Sequence, residues 1–190
     1  ITIGGTDIRK IKTAHLRRNI GMVLQEPYLF SRTIAENIGI TAPELNMEAV
    51  RSAAAAASLD DTVMGFAQGY ETMVGERGVT LSGGQKQRAA IARMLTTRTP
   101  IMIFDDSLSA VDAQTDAFIR RNLQTKLADA TVILIAHRVT TLMHADCIMV
   151  MDKGRVVEMG SHKELMEKQG VYKTIYDMQM SLGEEEELHE

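Results

Sequence analysis

Three short apolar runs divide the chain: Ile20–Leu24, Ile101–Phe104 and Ala130–Ala136. Each is too short for a helix of ordinary length and is bounded by polar or turn residues, so each reads as a strand, Ile101–Phe104 and Ala130–Ala136 as buried ones. Between them the pattern changes to helical spacing. Asn46–Ala57 carries five consecutive alanines, strong helix formers, and Ser82–Thr97 and residues 113–127 alternate apolar and charged positions at a helical period. Near the end, Met151-Asp152-Lys153-Gly154-Arg155 predicts a hairpin turn between Ile148–Val150 and Val156–Glu158. Ser161-His162-Lys163-Glu164 has capping-box spacing and opens a helix. A last helix covers about Val171 to Met180, with Val171, Ile175 and Met178 on one face. Strands that alternate with helices predict an α/β fold with parallel pairing and right-handed crossovers.

Polar residues at the ends of these elements carry the candidate chemistry. Leu81-Ser82-Gly83-Gly84-Gln85 opens the central helix. Ser82 is placed to cap it and Gln85 lies three residues on. The two glycines let a phosphate approach the backbone, where free N–H groups and the helix dipole favour an anion. A Ser-capped helix with a Gly turn is the plain alternative. Asp105 and Asp106 follow the strand Ile101–Phe104, at the edge where ligands bind in open α/β sheets. For Asp106 alone, a helix-capping role at a strand end competes with a catalytic one.

The order and spacing of these pieces resemble the ATP-binding cassette (ABC) ATPases, and several independent motifs fall in register. The resemblance implies the rest of the site. Leu81 to Gln85 matches the signature motif, which binds nucleotide held by a second, facing domain. Asp105 matches the Walker-B carboxylate that holds Mg²⁺. The next family position is usually Glu, which orients or activates the attacking water; here it is Asp106, one methylene shorter. Gln25 matches the Q-loop glutamine, a partner of Mg²⁺ and the water, and His137 the switch histidine at the γ-phosphate. Ser107 to Asp112 resembles the D-loop, although Asp112 is equally a sensible N-cap. Gly75-Glu76-Arg77-Gly78 resembles the X-loop of exporters, with Glu76 its acid. The exposed apolar triplet Tyr28-Leu29-Phe30 falls where a transmembrane domain's coupling helix docks, or else packs a helical subdomain; the two roles can coexist.

The implied fold is a P-loop NTPase (RecA-like) parallel-sheet core, incomplete at its N-terminus, with an inserted α-helical subdomain. Residues 1–32 and 98–190 supply core pieces and 33–97 the helical part with the signature. The Walker A pattern G-x-x-x-x-G-K-[ST] does not occur in the sequence, and Gly4-Gly5-Thr6 lacks its Lys. The expectation is therefore a fragment that begins after Walker A and is inactive by itself, cut from an ATPase that uses ATP and Mg²⁺. A complete signature beside Asp106 resembles the degenerate half of a heterodimeric exporter. The expected partners are a second nucleotide-binding domain and transmembrane domains, and the expected location is the cytoplasmic face of a membrane. A DNA-repair-type ABC ATPase and a non-catalytic pairing module are the rival readings.

Composition changes this picture little. The 190 residues are 45% hydrophobic and 24% charged, as expected of a packed globular fold. A net charge of −4 argues against nucleic acid as a partner. No apolar run approaches the length of a transmembrane helix. The single cysteine, Cys147, has no internal partner for a disulfide, which suits a reducing compartment. The thirteen methionines most simply mean an adaptable core.

Overall fold

Residues 1–75, 79–97, 99–108 and 110–187 are described by the structure, a computed structural model, and they form two compact units, Ile1–Ile135 and Ala136–Glu190. The first unit opens with a small antiparallel pair, β1 (Thr2–Ile3) and β2 (Thr6–Asp7), followed by helix α1 (Thr13–Asn19). Its main sheet has three parallel strands, β3 (Ile20–Val23), β4 (Ile101–Asp105) and β5 (Thr131–Ile135), in the order β3-β4-β5. In register, Val23 faces Phe104 and Asp105 faces Ile135, so the C-terminal ends of all three strands lie along one edge. β4 is central. Its Met102 and Phe104 are almost wholly buried, as a strand paired on both sides requires.

Between β3 and β4 the chain is helical, as the spacing predicts: α2 (Ile34–Gly39), α3 (Met47–Ala56), α4 (Asp60–Met64) and α5 (Gly83–Leu95). The alanines of α3 have a packing role. Ala53, Ala54 and Ala57 are buried in the same core as Ala89, Ala90 and Ala92 of α5, and small side chains let the two helices approach closely. Asn46 caps α3, its side chain accepting from Ala49 N. One hydrophobic cluster joins this helical region to Val23, Met102 and Phe104, and also takes in Leu108 and Val111 and, from α6 (Ala113–Lys126), Ile119 and Leu123.

The third strand corrects an expectation. The run Ala130–Ala136 does form a parallel strand, but not a buried one: Val132, Ile133 and Ile135 are each more than two-fifths exposed. Among the described residues β5 is paired on the β4 side only, and Leu134 and Ala130 pack partly on the core. An apolar, β-branched run specifies a strand, whereas its burial depends on what lies over its two faces.

The second unit holds α7 (Val139–Leu142), the antiparallel pair β6 (Ile148–Asp152) and β7 (Arg155–Gly160), α8 (His162–Glu167) and α9 (Val171–Glu187). The hairpin turn is where the sequence puts it. Lys153 and Gly154 both have positive φ, the two-residue turn that matches strand twist. Ser161 and Glu164 form the expected capping box. The last helix runs past Met180, and its inward face differs from the expected stripe. Tyr172 is buried and Tyr176 packs with it, while Val171, Ile175 and Met178 are exposed. His162 Nδ1 lies 2.8 Å from Tyr172 Oη, and the His162 ring meets both tyrosine rings on that side of the helix. Among the described residues, no helix is long and apolar enough to cross a membrane.

Candidate functional site

The signature helix begins as its sequence dictates. Ser82 Oγ accepts from Gln85 N (3.3 Å) while Gln85 Oε1 accepts from Ser82 N (2.9 Å), a complete capping box. Leu81 is buried in the core and anchors the turn; Ser82 and Gly83 are exposed. The two glycines have different reasons to be glycine. A Cβ on Gly84 would sit 2.8 Å from the backbone oxygen of Ala110, whereas one on Gly83 would meet only the Ala110 Cβ, at an ordinary 3.8 Å. Gly84 thus permits close approach of the loop 107–112, and Gly83 leaves open space at the helix N-terminus. Gly84→Ala is expected to cost about 1–3 kcal/mol in urea denaturation, since backbone has to move. Gly83→Ala is expected to leave stability unchanged or slightly raised, alanine being the better helix former.

Across the sheet edge, Gln25 and Asp106 meet. Gln25 follows β3, Asp106 follows β4, and Gln25 Nε2 donates to Asp106 Oδ2 at 3.4 Å. The contact joins residues far apart in sequence because parallel β3 and β4 end together. Asp106 has φ +43°, in the left-handed region, and its N–H donates to Ile135 O (2.9 Å). Aspartate tolerates that conformation better than most side chains, yet it remains a sparsely used one that clusters at functional sites. Asp105 ends β4 beside it.

The loop between β4 and α6 is packed at its described residues, and Ser109 lies outside them. Ser107, Leu108 and Val111 are buried, and the Ser107 hydroxyl has no hydrogen-bond partner among the described residues. Asp112 does cap α6: its side chain accepts from Thr115 N at 2.9 Å, which holds its carboxyl below the usual range. His137 belongs to the second unit and is exposed, and its carbonyl accepts from Gln179 Nε2 (2.8 Å). Gln179 Oε1 in turn accepts from Val139 N (2.8 Å), so one side chain of α9 fixes the turn that carries His137. Glu76 lies outside the described residues.

The aromatic triplet is half anchored and half displayed. Leu29 packs against the core; Tyr28 and Phe30 are exposed and meet edge to face, centroids 5.0 Å apart. They line a groove of about 520 Å³ with Met22, Leu24, Arg18 and Met94. Two polar residues that the motif reading passed over hold this loop. Buried Asn37 accepts from Phe30 N (2.8 Å) and donates to the carbonyls of Phe30 and Thr33 (2.9 and 3.0 Å). Arg93 of α5 donates to the carbonyls of Asn37 and Tyr28 (2.8 and 2.9 Å) and lies over the Phe30 ring, and burial pulls its guanidinium pKa down. An Asn and an Arg at helical apolar positions were the only sequence signal for them.

Among the described residues no group of three or more His, Cys, Asp or Glu side chains is arranged to hold a metal. The Asp105 carboxylate at the end of β4 nevertheless suits Mg²⁺, which takes hard oxygen ligands and needs only one or two carboxylates when water and phosphate complete its shell.

Comparison with known proteins decides the family. Residues 1–109 match the family model described as ABC transporter. The chain belongs to the ABC transporter family. Within it, two Bacillus subtilis proteins are similar over 179 residues, 94% of this chain: YgaD, a candidate multidrug export ATP-binding/permease protein, at 45% identity, and YknU, an uncharacterised ABC transporter ATP-binding protein, at 49%. A bacterial Atm1-family ABC exporter solved with ATP bound superposes with a TM-score of 0.89 at 39% identity, over 94% of this chain and 31% of that one. The chain likewise spans 31% of the length of the two Bacillus relatives. It is an exporter-type ABC nucleotide-binding domain in fold, an α/β P-loop NTPase core with inserted helices.

Proposed function

We propose that this chain is part of the ATP-driven motor of an ABC exporter and forms the degenerate-site half of a heterodimer. The observation that carries the reading is the meeting of Gln25 and Asp106 at the strand ends, on a unit that also displays the open Gly83 end of the signature helix. In this reading the Ser82–Gln85 turn completes the nucleotide site of a second nucleotide-binding domain, its N–H groups and dipole receiving phosphate. Asp105 and Gln25 hold Mg²⁺, which when bound offsets phosphate charge. Asp106 orients the attacking water, and His137 takes the role of the switch histidine. Asp112 and the loop before it lie at the domain pair's interface, and Glu76 belongs to the X-loop. Tyr28, Leu29 and Phe30 receive a coupling helix of the transmembrane domains, and the groove beside them supports that role. The motor then works at the cytoplasmic face of a membrane.

The test has two arms. Titration calorimetry of Mg·ATP into the 190-residue chain should give no binding and no turnover, because the sequence lacks the P-loop lysine and glycines that grip the β- and γ-phosphates. Clear binding would place the phosphate grip on other residues and overturn this account of the site. The full-length transporter should hydrolyse ATP in a Mg²⁺-dependent way; a full-length protein without turnover removes the enzymatic reading.

A further inference from the structure

Gln87 lies on α5, one turn beyond Gly83, and is only 4% exposed. A buried primary amide is costly unless both its ends are used. Both are used here, on two different loops. Its Nε2 donates to the backbone oxygen of Gln25 (3.3 Å), and its Oε1 accepts from the backbone N–H of Ala110 (3.2 Å). Gln25 in turn touches Asp106 through its side chain, and Ala110 is the residue whose oxygen abuts Gly84. One side chain therefore ties the signature helix to the loop after β3 and to the loop after β4.

We propose that Gln87 is a positioning residue, which sets the Gln25 carboxamide against Asp106 by holding the Gln25 backbone, and which makes the 107–112 loop move with the signature helix. It touches no reacting group itself. The inference rests on the ATPase reading above. Gln87→Glu keeps an acceptor for Ala110 N–H but replaces the donor to Gln25 with a carboxylate oxygen facing a carbonyl. Gln87→Met has nearly the same length and removes both bonds.

The experiment uses the full-length transporter, with wild-type turnover measured first so that loss of the ATPase reading is seen separately. With the partner domain's site inactivated, so that turnover reads the site this chain lines, both variants should lower kcat by about tenfold, a fraction of what a 1 Å misplacement costs, with KM for ATP within about twofold. Adding Gln87→Met to Gln25→Ala should lower kcat no further, since the effect passes through Gln25. Amide hydrogen exchange gives a readout independent of activity. Gln87→Glu should speed exchange in residues 24–30 alone, and Gln87→Met in 24–30 and 107–112. A lower melting temperature with unchanged kcat, or losses that multiply in the double variant, would overturn the proposal and leave Gln87 a packing residue.

Discussion

Replacing Asp106 with Glu is expected to raise ATP turnover at the nucleotide site this chain lines by about 10- to 100-fold in the full transporter. Glutamate is the usual family residue here and extends the carboxylate by one methylene, about 1 Å, and a misplacement of that size at a reacting centre costs on the order of 100-fold. The local geometry sets a price for the exchange. Asp106 has φ +43°, and glutamate, with no short side chain to bond its own backbone, is strained there by about 1 kcal/mol. The variant should therefore be faster and slightly less stable, a split that calorimetric melting and steady-state turnover read on one preparation. Turnover that stays flat removes the degenerate-site assignment. Faster turnover without loss of stability would mean that the loop relaxes around the longer side chain.

The second large effect is structural and falls on Asn37. Its side chain, 1% exposed, accepts from Phe30 N and Arg93 and donates to the carbonyls of Phe30, Arg32 and Thr33. Asn37→Ala strands the Phe30 N–H and one Arg93 N–H where water enters poorly, at about 1–3 kcal/mol for each, whereas the carbonyls of Phe30, Arg32 and Thr33 keep the backbone N–H groups of Arg32, Val74 and Asn37 as donors. Part of the loss is recovered, because the bond from Arg93 to the Asn37 carbonyl survives and Phe30 lies near the surface. A net cost of about 2–4 kcal/mol is expected in denaturant unfolding, at the upper end of what single substitutions usually cost. A cost below about 1 kcal/mol would show that the loop 28–33 is held by Leu29 packing alone. If Tyr28 and Phe30 receive a coupling helix, the same variant should weaken coupling of turnover to transport before it lowers turnover.

The signature turn was legible because its physics is local. A serine, two glycines and a glutamine at fixed offsets produce the capping box whatever surrounds them, and the structure shows it closed at Ser82 and Gln85. The Lys153–Gly154 hairpin and the Ser161 box are local in the same sense. Gln87 and Asn37 were not legible, nor was the hold of Arg93 on the 28–33 loop, because these roles depend on the tertiary fold. Gln87 and Arg93 are ordinary helical residues until the fold brings to them backbone groups from dozens of positions away, and Asn37 is one until the 30–33 turn closes over it. The two glycines of the signature look alike in sequence, and only the approach of Ala110 tells them apart.

The sequence by itself determined the family, the order of elements and the residues available for chemistry at the ends of β3 and β4. Periodicity, caps and turns are short-range effects that a few neighbouring side chains decide. Tertiary structure alone decided which apolar faces are covered, leaving β5 and the Val171–Met178 stripe exposed while Tyr172 turned inward. It also decided which polar side chains act as ties between loops. Burial and buried hydrogen bonding depend on partners distant along the chain, and a hydrophobic pattern states a preference for cover without naming what supplies it.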